Sequence, residues 1–516
     1  MTKPLQYLEV GGSLTVTALV VLCIQVYVVY YLASAVYLLT FHPLAKYPGP
    51  KLWAVSRIPW ALRVIRGDLW VALDKFHEKY GDVVRIAPDE ITTIRPSAWK
   101  DIYVTKPVLP KDPYSLTPPL NGAHSLFTAE GDTNRRIRQA LINGFSDKAQ
   151  RDQAPIVEGY AKLLIARMLR EAAKTSDGQI DIQRLFGYAT FDTVTDLSFG
   201  EALLNTLEEH DTEHNEIYMF SLHAKFGTIR NCLSRFKPFD ALLRLVLLRV
   251  TRPVREHNWQ LATEKVERRL ARGDLTGIRS DLLTPVVGKL DESGQKGSIT
   301  KKELITNQLA FVIADCQLTT VALSMATYLL LRDPSKWQQL ANEIRGRFNS
   351  DEQITVQSTL ELPYLEAVIN ETMRFRHPTP ISLPRVMPSN GRMVDGELIP
   401  GNVIYGINLQ NIQTTPSLWA EPQAFHPERF LPQTDERYDH RFDRDVKAAF
   451  MPFSTGARNC LGSKVYLAQA RVFLARVVWN FDLIMEDGRM KDEWLDQKAY
   501  LVFEPKPLQV KLRLAR

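Results

Sequence analysis

The residues with chemistry to offer are gathered in one stretch, Phe453-Ser454-Thr455-Gly456-Ala457-Arg458-Asn459-Cys460-Leu461-Gly462. Gly456 and Gly462 bracket Cys460, which lets the backbone turn tightly and come close to a large flat ligand. From Ser463 to Phe481 the spacing predicts a helix whose apolar face holds Val465, Leu467, Ala468, Val472, Phe473, Ala475 and Val478. Cys460 then sits at a helix entrance, where free N–H groups and the positive end of the dipole favour a thiolate. A thiolate fixed there, with Arg458 two residues before it, suits an axial ligand to haem iron and a partner for a haem propionate.

A lone cysteine in apolar surroundings is ordinarily a small buried hydrophobe. This decapeptide carries more. It resembles the Phe-x-x-Gly-x-Arg-x-Cys-x-Gly signature of the cytochrome P450 haem-thiolate enzymes, with Phe453, Gly456, Arg458, Cys460 and Gly462 at the five specified places. The resemblance implies haem b with Cys460 as the axial ligand to its iron. It extends over nearly the whole chain, in the family's motif order. Glu371 and Arg374 stand three apart on one helical face, a spacing that on a surface is worth about 0.5 kcal/mol. Here Val368, Ile369, Met373 and Phe375 surround them, and Pro427-Glu428-Arg429-Phe430 follows. Together these resemble the family's Glu-x-x-Arg motif and its arginine partner, so Glu371, Arg374 and Arg429 are expected to lock the core behind the haem. Asn134 and Arg138 occupy the Trp/His-x-x-x-Arg pattern that holds a propionate, with Asn134 departing from an aromatic residue or His. Arg385, after Pro384, corresponds to a further propionate ligand. Phe191 to Gly200 resembles a segment common in fungal members.

The departure that bears on mechanism lies in the longest predicted helix. Counting back without gaps from Leu331-Arg332-Asp333-Pro334, the family pattern Ala-Gly-x-(Asp/Glu)-Thr-(Thr/Ser) falls on Ala314-Asp315-Cys316-Gln317-Leu318-Thr319. Asp315 replaces the glycine, Gln317 the acid and Leu318 the first threonine. The family's acid and alcohol relay protons during oxygen activation, yet Gln317 does not ionise at neutral pH and Leu318 has no exchangeable proton. Either a helical bulge slips the register and brings Thr319 to the oxygen site, or protons come from Asp315, ordered water or the substrate.

The elements that must position these residues read mainly as helices. Thr300 and Glu303 form a capping box opening the long helix, which runs to about Arg332, and Asp333-Pro334 starts the next. Helices are predicted over Leu69–Tyr80, ending at Gly81, over 132–145, and from Pro363 to before Pro378. Short hairpins are predicted at 83–86 with 90–94, and at 392–394 with 397–399 around Asp395-Gly396, placing strands at either end of the sequence. Residues 107–128, rich in Pro, Ser and Gly, look like the family's substrate-covering loop, and 289–298 read as a polar loop. Residues 217–250 mix apolar residues with Arg230, Arg235, Lys237, Arg244 and Arg249, which suits a membrane-surface helix and an ordinary surface helix equally. The expected fold is mainly α, cytochrome P450-like, with small β-sheets.

No Lys, Arg, Asp or Glu occurs between Glu9 and Lys46, and the apolar run from Leu14 to Leu39 is long enough to cross a bilayer. Ala33-Ser34-Ala35 resembles a signal-peptide cleavage site, but the run is too long for a signal core and continues past it. Lys46, Lys51, Arg57, Arg63 and Arg66 follow the span against Lys3 before it, which leaves the body in the cytosol. The expected organisation is a membrane anchor over 1–41, a proline-rich hinge over 42–51 and a catalytic domain over 52–516. The 516 residues carry a net charge of +6, mild for this length, and no basic run with interleaved aromatics points to nucleic acid. Four widely spaced cysteines, Cys23, Cys232, Cys316 and Cys460, form neither a zinc pattern nor a disulfide framework.

The resemblance therefore implies a single-pass enzyme of the endoplasmic reticulum membrane. Its expected partners are NADPH-cytochrome P450 reductase and an apolar small-molecule substrate, and its expected reaction is hydroxylation, epoxidation or desaturation of a fungal secondary metabolite. Two alternatives stay open: oxidative cyclisation, coupling or rearrangement without oxygen insertion, and a non-enzymatic haem binder.

Overall fold

Lys301–Arg332, a helix of 32 residues, runs through the centre of the computed structural model of the chain. The structure describes residues 7–115, 121–204, 206–208, 215–273, 279–293, 297–485, 492–504 and 506–515. The central helix begins at the predicted capping box: Thr300 Oγ accepts from the Glu303 N–H at 3.2 Å, and the Thr300 N–H donates to Glu303 Oε2 at 3.0 Å. Every residue from Thr319 to Leu330 is buried, as befits a stretch without charge whose Ser324 and Thr327 hydroxyls donate to carbonyls of their own helix. Around it pack Ile182–Phe199, Pro363–Phe375 and Ser463–Asn480, and their apolar side chains merge into one core with Phe186, Leu323, Ala326, Val368, Val472 and Phe473. Ile182–Phe199 is buried almost throughout and covers the central helix on one side, with Asp147–Ala173 outside it.

Among the described residues nine strands form three small sheets: β1 (Val83–Ala87), β2 (Glu90–Thr93), β3 (Gln179–Asp181), β4 (Arg385–Val386), β5 (Arg392–Val394), β6 (Glu397–Ile399), β7 (Ile404–Ile407), β8 (Phe481–Ile484) and β9 (Gln509–Leu514). The first sheet has the order β1-β2-β7-β4, with β2 parallel to β7 and the other pairs antiparallel. The second is β3-β9-β8 and the third the hairpin β5-β6, which turns on Asp395 and Gly396 at φ 53° and 76°. Strands are therefore not confined to the ends of the sequence. β3, in the middle, pairs with β9 near the C-terminus because its Ile180 lies in the core common to both.

The predicted helices appear over Leu69–Tyr80, Pro363–Phe375 and Ser463–Asn480, and the 132–145 prediction as Gly131–Leu141 continued by a 3-10 turn to Phe145. Residues 217–250 fall in two helices, Asn215–Leu233 and Lys237–Ala271, many of whose side chains lie outside those described. Parts of the 107–128 and 289–298 loops lie outside the described residues as well.

At the N-terminus, Tyr7–Thr40 is one helix whose portion Val16–Thr40 is apolar and unburied over 25 residues. That portion is about 38 Å long, more than the ~30 Å of a bilayer's hydrocarbon core. The proline-rich stretch after it lies against the body, with Leu44 fully buried and the Pro48 carbonyl accepting from the Arg85 N–H at 2.8 Å. Arg85 is itself buried on β1. Its Nη1 reaches back to the Leu38 carbonyl at 2.7 Å and its Nη2 to the Pro88 carbonyl at 2.7 Å, capping the last turn of the N-terminal helix.

Candidate haem-thiolate site

Cys460 lies three residues before the helix Ser463–Asn480, in a loop that enters through a single 3-10 turn, Gly456–Arg458. Its own N–H donates to the Phe453 carbonyl at 2.9 Å, so the loop closes on its first residue. The Phe453 ring meets Tyr466 of the following helix edge-on at 5.6 Å, which fixes the loop's entry side. Backbone N–H groups of Gly462 and Ser463, together with Arg138, favour the ionised form of the sulfur. Burial is the larger effect and, with the nearby charge of Asp315, holds the thiol above its ordinary pKa. The helix entrance thus helps the thiolate as the sequence reading expects, but does not suffice; a bound metal would deprotonate the thiol outright. Cys460 is accessible by surface area although desolvation dominates its titration. Both hold for a sulfur that is walled by protein and still within reach of a ligand.

The two glycines serve different ends. Gly456 has φ 78° and a Cβ there would stand 2.1 Å from the Tyr103 carbonyl oxygen, so only glycine fits. Gly462 has an ordinary φ of −85°, and a Cβ on it would meet nothing within 4 Å. It keeps room open two residues from the sulfur.

Beside this loop several cations converge from distant parts of the chain. Arg458 grips Glu130 with both terminal nitrogens, Nη1 to Oε1 at 2.6 Å and Nη2 to Oε2. Arg385 lies over the Tyr103 ring at 5.0 Å and donates to the Pro384 carbonyl at 3.0 Å. Lys111, bridged to Arg385 through the backbone, donates to the Phe127 carbonyl at 2.7 Å. Burial draws the Lys111 pKa down to about 8; the charges of Arg458 and Arg385 push the same way and Glu130 opposes them. Arg138 donates to the Asn459 carbonyl at 3.0 Å and to Asn459 Oδ1, next to the cysteine. Asn134 points elsewhere, its Nδ2 donating to the Leu126 carbonyl at 3.0 Å. Three cations around the single carboxylate of Glu130 leave a net positive, partly dry cluster. Together with the reachable sulfur and the room at Gly462, it fits a flat ligand that carries two carboxylates and an iron.

Behind the loop the expected lock is fully buried. Arg374 donates to both oxygens of Glu371 at 2.7 and 2.8 Å, and Arg429 Nε lies 3.2 Å from Glu371 Oε2. A fourth member completes the charge balance: Asp445 takes Arg429 Nη1 at 2.5 Å. Remaining donors of Arg374 go to the carbonyls of Gln413, Pro422 and Ala424, so no charge is left bare.

The central helix is α-helical throughout, with no π turn that would slip its register. Asp315 accepts from Gln469 Nε2 at 2.7 Å, across to the helix that follows Cys460, and from Thr319 Oγ at 3.3 Å, one turn on. It has no ion-pair partner among the described residues, and burial pushes its pKa up to about 6 against the two hydrogen bonds. Thr319 is fully buried. Leu318 joins Val321, Val502 and Phe503 in a small apolar cluster, and Gln317 Nε2 is buried without a partner. An acid–alcohol pair is therefore present, formed by Asp315 and Thr319 at i,i+4, while the two positions the family pattern assigns to it hold an amide and a hydrocarbon.

A family model described as Cytochrome P450 matches residues 47–512. The chain belongs to the cytochrome P450 family. As a cytochrome P450 it is an oxidoreductase whose haem iron is held by a cysteine thiolate. This P450 is similar to averantin hydroxylase of Dothistroma septosporum, 34% identical over 93% of this chain and 89% of that one. It is similar to versicolorin B desaturase stcL of Emericella nidulans, 35% identical over 94% and 96%, and to cytochrome P450 monooxygenase stcF of the same organism, 34% identical over 94% and 98%.

Sequence reasoning on this P450 missed Lys111, Glu130, Asp445 and Gln469. Each is brought in by tertiary contact from a loop or helix with no motif of its own. Only Gln469 had a local signal, a buried amide on the otherwise apolar face of the helix after the cysteine.

Proposed function

We propose that this cytochrome P450 binds haem b through Cys460, takes electrons from NADPH-cytochrome P450 reductase at the endoplasmic reticulum membrane, and hydroxylates, epoxidises or desaturates an apolar fungal secondary metabolite. The haem-thiolate loop with its cation cluster carries this reading. The names of the relatives, which include a hydroxylase and a desaturase, support the substrate class. Bound haem supplies oxygen activation; the chain supplies everything around it. Cys460 would be the iron ligand, and the backbone N–H groups of Gly462 and Ser463 favour its thiolate. Lys111, Arg138, Arg385 and Arg458 would be the cations for the propionates, with Glu130 paired to Arg458 beside them. Asp315 holds a proton at its carboxyl and Thr319 the hydroxyl beside it, taking the place of the family's acid and alcohol. Leu318 packs with Val502 and Phe503 in an apolar cluster, so it takes no part in proton transfer.

The test is reconstitution with the reductase and NADPH on extracts of a host lacking this protein. A product heavier by one oxygen, or lighter by two hydrogens, is expected. Consumption of an apolar metabolite without mass change would favour rearrangement, the reading that Gln317 and Leu318 encourage. No turnover of any extract would sink the proposed substrate class.

A further inference from the structure

Gln469 is fully buried on the helix that follows Cys460, and its side-chain amide faces one ionisable group, Asp315. Its Nε2 donates to Asp315 Oδ2 at 2.7 Å, while its Oε1 is buried with no hydrogen-bond partner. A buried amide oxygen left bare is costly and calls for an explanation. The amide has two orientations of nearly the same shape. In the one seen, Nε2 faces the carboxyl, which suits an ionised carboxylate, and Oε1 is bare. Turned over, it accepts from a protonated carboxyl and leaves Nε2 bare. One amide atom is bare in either state, so the amide can partner both forms of Asp315, and its bond to the charged carboxylate is the stronger of the two.

We propose that Gln469 is the positioning residue for the proton on Asp315, donating to the carboxylate and accepting from the acid by turning its amide over. This rests on the reading of Asp315 as the proton carrier. Thr319 matches the exchange from the other side, since its hydroxyl donates to Asp315 Oδ1 at 3.3 Å and can equally accept. The other titratable groups that feel the carboxyl are Cys316 beside it, Tyr466 on the same helix as Gln469, and Cys460. The charge of Asp315 pushes the pKa of each upward, and among the described residues no cation pairs with Asp315. A hydrocarbon at 469 would tilt Asp315 toward its neutral form, because the amide's N–H is the donor that crosses from the facing helix to stabilise the anion. An ammonium there would lock it ionised. The amide alone leaves both states open, which a group that accepts and releases a proton requires.

The experiment uses the haem-loaded full chain and reads the proton directly. The infrared C=O stretch of the protonated carboxyl, assigned by its loss in Asp315→Asn, is followed from about pH 5 to about pH 8. A single titration is expected in the unaltered protein. In Gln469→Leu its midpoint should rise by roughly one pH unit, the size of a lost hydrogen bond to a carboxylate. Gln469→Met, of similar length, should move it the same way and serves if the leucine variant fails to assemble. An unchanged midpoint in both, or no titrating band lost in Asp315→Asn, overturns the proposal. Turnover is scored separately: a slow Asp315→Ala enzyme supports the proton-carrier reading whatever Gln469 does. A fast one sinks that reading even if the infrared change is found.

Discussion

At the scale of single residues, the cysteine and the aspartate make opposite demands on the same buried region. Cys460 must be ionised, so Cys460→Ser is expected to abolish the red-shifted Soret band of the reduced carbon-monoxide complex. Retention of that band would end the assignment. Asp315 has a pKa raised to about 6 by burial, so its protonated fraction falls as pH climbs through that value. Turnover should decline above about pH 6, and Asp315→Asn should lose that limb of the profile along with most of the rate. Stability runs the same way. Between the ordinary aspartate value and about 6 the folded protein holds a proton that the unfolded chain has released, so stability falls as pH rises across this window. A tenfold difference in proton affinity between folded and unfolded chains is worth about 1.4 kcal/mol, and less here because Asp315 is only partly buried by area. Asp315→Asn should therefore melt higher than the unaltered chain at neutral pH while working worse. Equal melting temperatures would mean that the carboxyl is better solvated than its surroundings indicate. That Asp315 matters was legible from the sequence, since it stands in place of a glycine. Its partner was not, because a pairing across two helices 154 positions apart leaves no spacing to read.

Elements decide which of these residues can move. The loop around Cys460 is pinned at Gly456, where the Tyr103 carbonyl leaves no space for a Cβ, and open at Gly462. Gly456→Ala is expected to disrupt the loop and lose haem altogether. Gly462→Ala should leave the apoprotein folded, by circular dichroism, and weaken haem binding. If Gly462→Ala binds haem as before, the room there is not the ligand's. The lock of Glu371, Arg374, Arg429 and Asp445 ties the helix Pro363–Phe375 to the segment before the loop. Removing one charge from so dry a set costs about 3–5 kcal/mol. Asp445→Asn should thus lower the denaturation midpoint nearly as much as Glu371→Gln, although no motif marks it. Helix boundaries were legible wherever a local signal ended them: the capping box at Thr300, Pro at 334 and 363, Gly at 81. The sheets were legible only as hairpins. The pairings of β2 with β7 and of β3 with β9 join segments hundreds of residues apart, and only burial of their shared apolar faces selects them.

For the whole molecule, the apolar N-terminal helix is long enough to cross a bilayer, which makes an orientation on a membrane testable. Protease added to intact microsomes should digest the body without detergent; protection until detergent is added would reverse the orientation. The contact between Arg85 and the Leu38 carbonyl adds a practical consequence. A soluble version cut just after Thr40 removes the acceptor of a buried guanidinium nitrogen, at roughly 1–3 kcal/mol. One cut a turn earlier, before Tyr37, keeps it. The shorter deletion should give the better-behaved enzyme despite its greasier end. For the intact protein the same bond makes the apolar helix a handle rather than a leash: were it to tilt in a bilayer, Arg85 would pass the tilt to the catalytic body, and the membrane's thickness would become a variable the active site can feel.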